Sequence, residues 1–81
     1  MVKVKIYGMK LCSYCTYARD WFAENKIDFE YIEANQEVID NLEKTTGIDT
    51  VPQIFINDKF IGGWIKTKEM IDSGELQKLL K

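Results

Sequence analysis

Val2-Lys3-Val4-Lys5-Ile6-Tyr7-Gly8-Met9-Lys10-Leu11-Cys12-Ser13-Tyr14-Cys15 is the stretch on which the reading of this chain turns. Val2 to Tyr7 alternates apolar and polar side chains, the period of a half-buried strand, and stops at a glycine. Cys15 then opens an apolar series with Ala18 and Phe22 at helical spacing, while Arg19, Asp20 and Glu24 take the other faces. A strand, a short loop carrying two cysteines and a helix over about residues 13–25 thus follow one another with little connecting chain.

Working outward, Ile27 to Ile32 alternates again, with Ile27, Phe29 and Tyr31 on one side, and predicts a second strand. Glu37 to Thr46 predicts a second helix with Val38, Ile39 and Leu42 as its apolar face, closed by Gly47. Pro52 precedes the β-branched and aromatic run Gln53-Ile54-Phe55-Ile56, Asn57-Asp58 supplies turn chemistry, and Lys59-Phe60-Ile61 returns as a hairpin partner before Gly62-Gly63. A last helix is expected from near Thr67, whose hydroxyl suits a helix cap; it carries Met70 and Ile71, breaks around Ser73-Gly74 and resumes with Leu76, Leu79 and Leu80. The order β-α-β-α-β-β-α predicts an α/β fold in which a right-handed crossover makes the first two strands parallel and the last two form an antiparallel hairpin. A mixed four-stranded sheet flanked by three helices, lying on both faces, covers the apolar side chains. With 81 residues the chain has material for a single domain over 1–81.

The net charge is −2, and Lys and Arg are scattered from Lys3 to Lys81 without a basic stripe or cluster. Neither nucleic acid nor a membrane surface is expected as a partner, and no apolar run is long enough to span a bilayer. The chain opens on a strand rather than a charged and apolar leader, so the expected setting is cytoplasmic, and a monomer is expected. There are two cysteines and no histidine, too few ligands for structural zinc, and no metal is expected. In a reducing compartment such a pair reads as catalytic more readily than structural.

The spacing puts Cys12 at the start of the first helix and Cys15 one turn in, so the two sulfurs can meet across that turn. Unpaired N–H groups and the positive end of the helix dipole favour an anion at Cys12, and Lys10 adds a nearby positive charge. Settings of this kind bring a thiol from about 8.5 down to roughly 3.5–7.5, which predicts substantial thiolate at neutral pH. Cys15, on the apolar face with Ala18 and Phe22, should be less exposed and less ionised. Cys12 is therefore expected to attack a disulfide and Cys15 to resolve the mixed disulfide.

Lys10-Leu11-Cys12-Ser13-Tyr14-Cys15, Thr50-Val51-Pro52-Gln53-Ile54-Phe55-Ile56 and Ile61-Gly62-Gly63, in this order and spacing, resemble the glutaredoxin family of the thioredoxin-fold superfamily, and its compact bacterial or phage type in particular. The resemblance implies a thioredoxin fold and a glutathione-dependent reductase of protein disulfides and glutathione mixed disulfides, with glutathione as co-substrate. It implies a cis peptide bond before Pro52, exposing the Val51 backbone for strand-like hydrogen bonds to glutathione, where the residues alone also allow an ordinary loop proline. Lys10 would meet the glycine carboxylate, or be a solvated lysine biasing Cys12; Tyr14 would line the groove, or merely pack; Gly63 would admit the ligand's backbone, or serve a turn. Thr67 and the N–H groups of the last helix would hold the γ-glutamyl carboxylate. Many glutaredoxins carry an acidic residue here, whereas this chain reads Trp64-Ile65-Lys66-Thr67; Lys66 could pair with the carboxylate, but the ligand's amino group is left without a partner. Two alternatives stand beside this reading: an electron donor to ribonucleotide reductase recharged by thioredoxin reductase, and a dimer bridging a [2Fe–2S] cluster through Cys12 and glutathione thiols.

Overall fold

Val4, Ile6 and Gly8 turn one face of the first strand, β1 (Val4–Gly8), into the interior, and Lys5 and Tyr7 take the other. The computed structural model describes residues 2–80; residues 1 and 81, the outer bounds of the expected domain, lie outside the described residues. After β1 come α1 (Ser13–Glu24), β2 (Glu30–Glu33), α2 (Gln36–Thr46), β3 (Gln53–Ile56), β4 (Lys59–Gly62), α3 (Trp64–Ser73) and α4 (Glu75–Leu79). The sheet order is β2-β1-β3-β4. β1 and β2 run parallel, with Ile6 opposite Tyr31, while β3 is antiparallel to both β1 and β4.

The expected architecture is present. Cys15, Ala18 and Phe22 are the buried stripe of α1, and α1 and α3 touch each other while packing on β1 and β3. Val4, Ile6, Ala18, Phe22, Ile54, Ile56, Met70 and Leu76 form one apolar cluster between these layers. On the sheet's other face Tyr7 meets Phe55 edge-on, with ring centroids 5.6 Å apart, and Phe55 meets Phe60 at 5.2 Å. Gln53 shares its strand face with Phe55 and is tied to the end of α2 by Thr46. The helix α2 is capped at Asn35, whose side chain accepts the Val38 N–H at 2.9 Å, and ends at Gly47 in the left-handed region. Asn57 and Asp58 both take positive φ, the primed turn that suits a two-residue hairpin. Asn57 also exchanges two hydrogen bonds with the Lys3 backbone, pinning the hairpin to the start of β1. No helix among the described residues is long and apolar enough to cross a membrane.

Two boundaries differ from those expected. β2 begins at Glu30, because the Ile27 N–H is spent on the Phe22 carbonyl (2.9 Å) that closes the end of α1; Ile27, Phe29 and Tyr31 nonetheless all pack against the core. The expected break in the last helix falls at Gly74, whose φ of 85° ends α3, and α4 then drops Leu76 into the core. The expected Thr67 cap is corrected: α3 starts a turn earlier, with Gly63 as the cap residue. Gly62, at a φ of 140°, turns the chain straight from β4 into the helix. Thr67 instead lies fully buried in the first turn, and both its N–H (3.0 Å) and its hydroxyl (2.8 Å) donate to the Gly63 carbonyl.

Two substitutions separate these contributions in urea unfolding of the reduced protein. Phe22→Ala empties the centre of the core and is expected to cost about 3–5 kcal/mol. Thr67→Val keeps the shape and removes one hydrogen bond, at an expected cost of about 0.5–1.5 kcal/mol.

Candidate active site

The loop between β1 and α1 makes its decisive turn at Leu11, a fully exposed residue with a φ of 57° in the left-handed region that non-glycine residues avoid. That turn delivers Cys12, in extended conformation, to the N-cap of α1. Its sulfur accepts the Cys15 N–H at 3.1 Å. Cys12 and Cys15 are joined as a disulfide, with Cα atoms 5.2 Å apart, well inside the range such a bond needs. Cys15 is completely buried beside Ala18 and Phe22, whereas Cys12 is half-buried. The first turn of α1 carries no acidic residue, so nothing there offsets the positive end of the helix, and a reduced Cys12 sits where an anionic sulfur is favoured.

A second wall comes from the other half of the chain. The Val51–Pro52 peptide bond is cis, and the Val51 carbonyl oxygen lies 3.9 Å from the Cys12 sulfur. The loop that carries Val51 is held from beneath by Gln53, fully buried, whose side-chain amide donates to the carbonyls of Ile48 (2.7 Å) and Thr50 (3.1 Å). Thr46 completes the set by donating to Gln53 Oε1 at 3.1 Å. Gly63 passes close to this loop: a Cβ there would stand 3.4 Å from the Pro52 carbonyl. Between the walls lies a cleft of about 650 Å³, lined by Tyr14, Thr50, Val51, Pro52, Gly63, Trp64, Ile65, Lys66 and Glu69.

Of the residues singled out from the sequence, Tyr14, Val51, Pro52 and Gly63 therefore share one cleft beside Cys12. Tyr14 lines it half-exposed and is also the outer member of an aromatic ladder, with centroids 6.1 Å to Tyr17 and 6.4 Å from Tyr17 to Trp64, so its two readings hold together. Lys10 stands apart: its ammonium is 3.9 Å from Glu33, beside a smaller hollow that also involves Arg19 and Tyr31. Thr67 does not reach the cleft directly, since its hydroxyl is buried and turned to Gly63; it acts on the wall by holding that glycine. Thr50 and Glu69 were not anticipated. Glu69 was legible in principle, because it falls one helical turn after Ile65 and so returns to the same side.

The family model Glutaredoxin matches residues 4–61. Glutaredoxin-2, mitochondrial, of Bos taurus is 35% identical over 82 residues, which take in 95% of this chain and 52% of that protein. The chain thus spans about half the length of that curated relative. Among solved structures, wheat glutaredoxin superposes with a TM-score of 0.88 at 32% identity, over 95% of this chain and 77% of the wheat chain. A buckwheat glutaredoxin–glutathione complex does so with a TM-score of 0.89 at 29% identity, over 95% of this chain and 74% of the other. Because the matched stretch takes in both cysteines, Pro52 and the central strands, this chain belongs to the glutaredoxin family, with a thioredoxin-type sheet and a Cys12–Cys15 pair at disulfide distance.

Proposed function

We propose that this chain reduces glutathione mixed disulfides and protein disulfides, with Cys12 as nucleophile, Cys15 as resolving thiol and glutathione as the reductant. One observation carries the reading: Cys12 Sγ caps α1 at the edge of the cleft while Cys15 is wholly buried behind it. Only one of the two sulfurs is then open to an incoming disulfide.

In the reduced protein the Cys12 thiolate attacks one sulfur of the substrate disulfide. A Cys12–substrate bond forms, and the other substrate sulfur leaves as a thiolate and takes up a proton from solvent. For a protein substrate, Cys15 loses its proton and attacks Cys12 Sγ, which frees the second substrate thiol and leaves the Cys12–Cys15 disulfide. Two glutathione molecules restore the dithiol and depart as one glutathione disulfide. For a glutathione mixed disulfide, attack on the glutathione sulfur releases the partner thiol, and a second glutathione regenerates Cys12 without Cys15.

The cleft suits glutathione in its backbone as well as its sulfur. The open main chain of Val51 offers strand-like hydrogen bonds to an extended peptide, and Gly63 keeps the opposite wall low. Tyr14 flanks the cysteinyl portion. The exposed Lys10–Glu33 pair, 3.9 Å apart, is a weak contact, so Lys10 is free to swing to the glycine carboxylate. The first intrahelical bond of α3 starts at the Thr67 N–H, which leaves the N–H groups of Trp64, Ile65 and Lys66 for the γ-glutamyl carboxylate, with Thr67 fixing the turn from below.

With glutathione, glutathione reductase and NADPH, Cys12→Ser is expected to abolish turnover of both substrate classes. Cys15→Ser should keep reducing glutathione mixed disulfides and lose the reduction of protein disulfides. Greater damage from Cys15→Ser in both assays would reverse the roles, and turnover with thioredoxin reductase alone would remove glutathione as the reductant. Independently, limiting iodoacetamide on the reduced protein should modify Cys12 well before Cys15, as read from peptide masses.

A further inference from the structure

Lys66 and Glu69 are the only charged side chains in the wall of the cleft, which is otherwise apolar, hydroxylic or backbone. Both are exposed and both lie on α3, three residues apart, a spacing that puts their Cβ atoms about 5–6 Å from each other on one helix face. They do not pair: the one ion pair among the described residues is Lys10 with Glu33. Their order explains this, since a basic residue preceding an acidic one along a helix is the less favourable arrangement for closing on each other. Lys66 is also held back. Gly62 has no Cβ, and one built there would come within 2.9 Å of Lys66 Cβ and 3.0 Å of its Cγ, so the lysine stem lies against the end of β4. The cleft therefore presents one positive and one negative side chain, adjacent, open and unneutralised.

An α-amino acid bearing a free carboxylate and a free ammonium on one carbon is the ligand chemistry that complements two such charges. The γ-glutamyl end of glutathione is a group of this kind, so the inference rests on the glutathione reading above. We infer that Glu69 selects the free α-ammonium of the bound γ-glutamyl group while Lys66 faces its carboxylate. Glu69 thereby supplies the partner that the run Trp64-Ile65-Lys66-Thr67 lacks, from one helical turn further along. It is a specificity-determining residue and takes no part in the sulfur chemistry. A γ-glutamyl substrate whose amine is acylated loses this contact and keeps every other one.

The test is a single-turnover measurement with pre-reduced protein and no added thiol, following thiol release from the mixed disulfide of glutathione with cysteamine and from its N-acetylglutathione counterpart. The wild type is expected to react about tenfold faster with the free amine, the loss that one charge-assisted hydrogen bond accounts for. Glu69→Gln should slow the free-amine substrate by that factor and bring the two substrates level, whereas Lys66→Gln should slow both and preserve their ratio. If Glu69→Gln keeps the wild-type preference, Glu69 is a solvated surface charge and the inference fails while the glutathione reading stands. If the wild type reacts with neither substrate faster than with 2-hydroxyethyl disulfide, the glutathione reading fails and takes the inference with it.

Discussion

The hydrogen bond from the Cys15 N–H to Cys12 Sγ organises the site. A helix start needs an acceptor at its cap, and here the acceptor is the Cys12 sulfur itself, so the requirement that forms α1 also fixes where that sulfur points. The sulfur can only be there if the chain reverses direction after β1, which it does at Leu11, in a conformation that costs a non-glycine residue roughly 1–2 kcal/mol. Burial on the far side of the helix offsets that cost: Cys15, Ala18 and Phe22 fix its rotation against the core, and with it the direction of the cap.

The opposite wall is fixed by a different kind of interaction. A buried amide left without partners would cost about 1–3 kcal/mol, and Gln53 avoids this only when residues 46–50 take one arrangement around it. Val51 and Pro52 are caught between that knot and β3, which brings the Val51 carbonyl to Cys12 Sγ from a position 39 residues away in the chain. The apolar core aligns the strands, and the buried polar cluster then places the loop that the alignment leaves free.

What the sequence made legible follows from this division. The alternation from Val2 and the Cys15, Ala18, Phe22 stripe announced β1 and α1, and with them Cys12 at the helix start and Cys15 in the core, because period and burial are the same physical fact there. Boundaries governed by backbone hydrogen bonds were not legible. Ile27 to Phe29 alternates like a strand, yet its backbone closes a helix. Thr67 has the chemistry of a cap, yet Gly62 allows the helix to begin earlier, which moves the threonine inward. Glu69 escaped for a related reason: read as an extended run, the residues after the glycines point no further than Thr67, and only a helix already started at Trp64 brings residue 69 back to the cleft. The family match, too, stops at residue 61, short of this wall.

The alternation of depth along α3 has a bearing on how such a protein can change over time. Thr67 and Met70 face inward, while Lys66 and Glu69, each next to one of them, face outward into the cleft. Substitutions at outward positions typically shift stability by no more than about 0.5 kcal/mol, and those on α3 leave the cap at Cys12 untouched. Charge on this face can therefore drift by single-codon steps without a folding penalty and without altering the sulfur chemistry. A lineage built on this scaffold could exchange one clientele for another while its reactive centre stayed as it was.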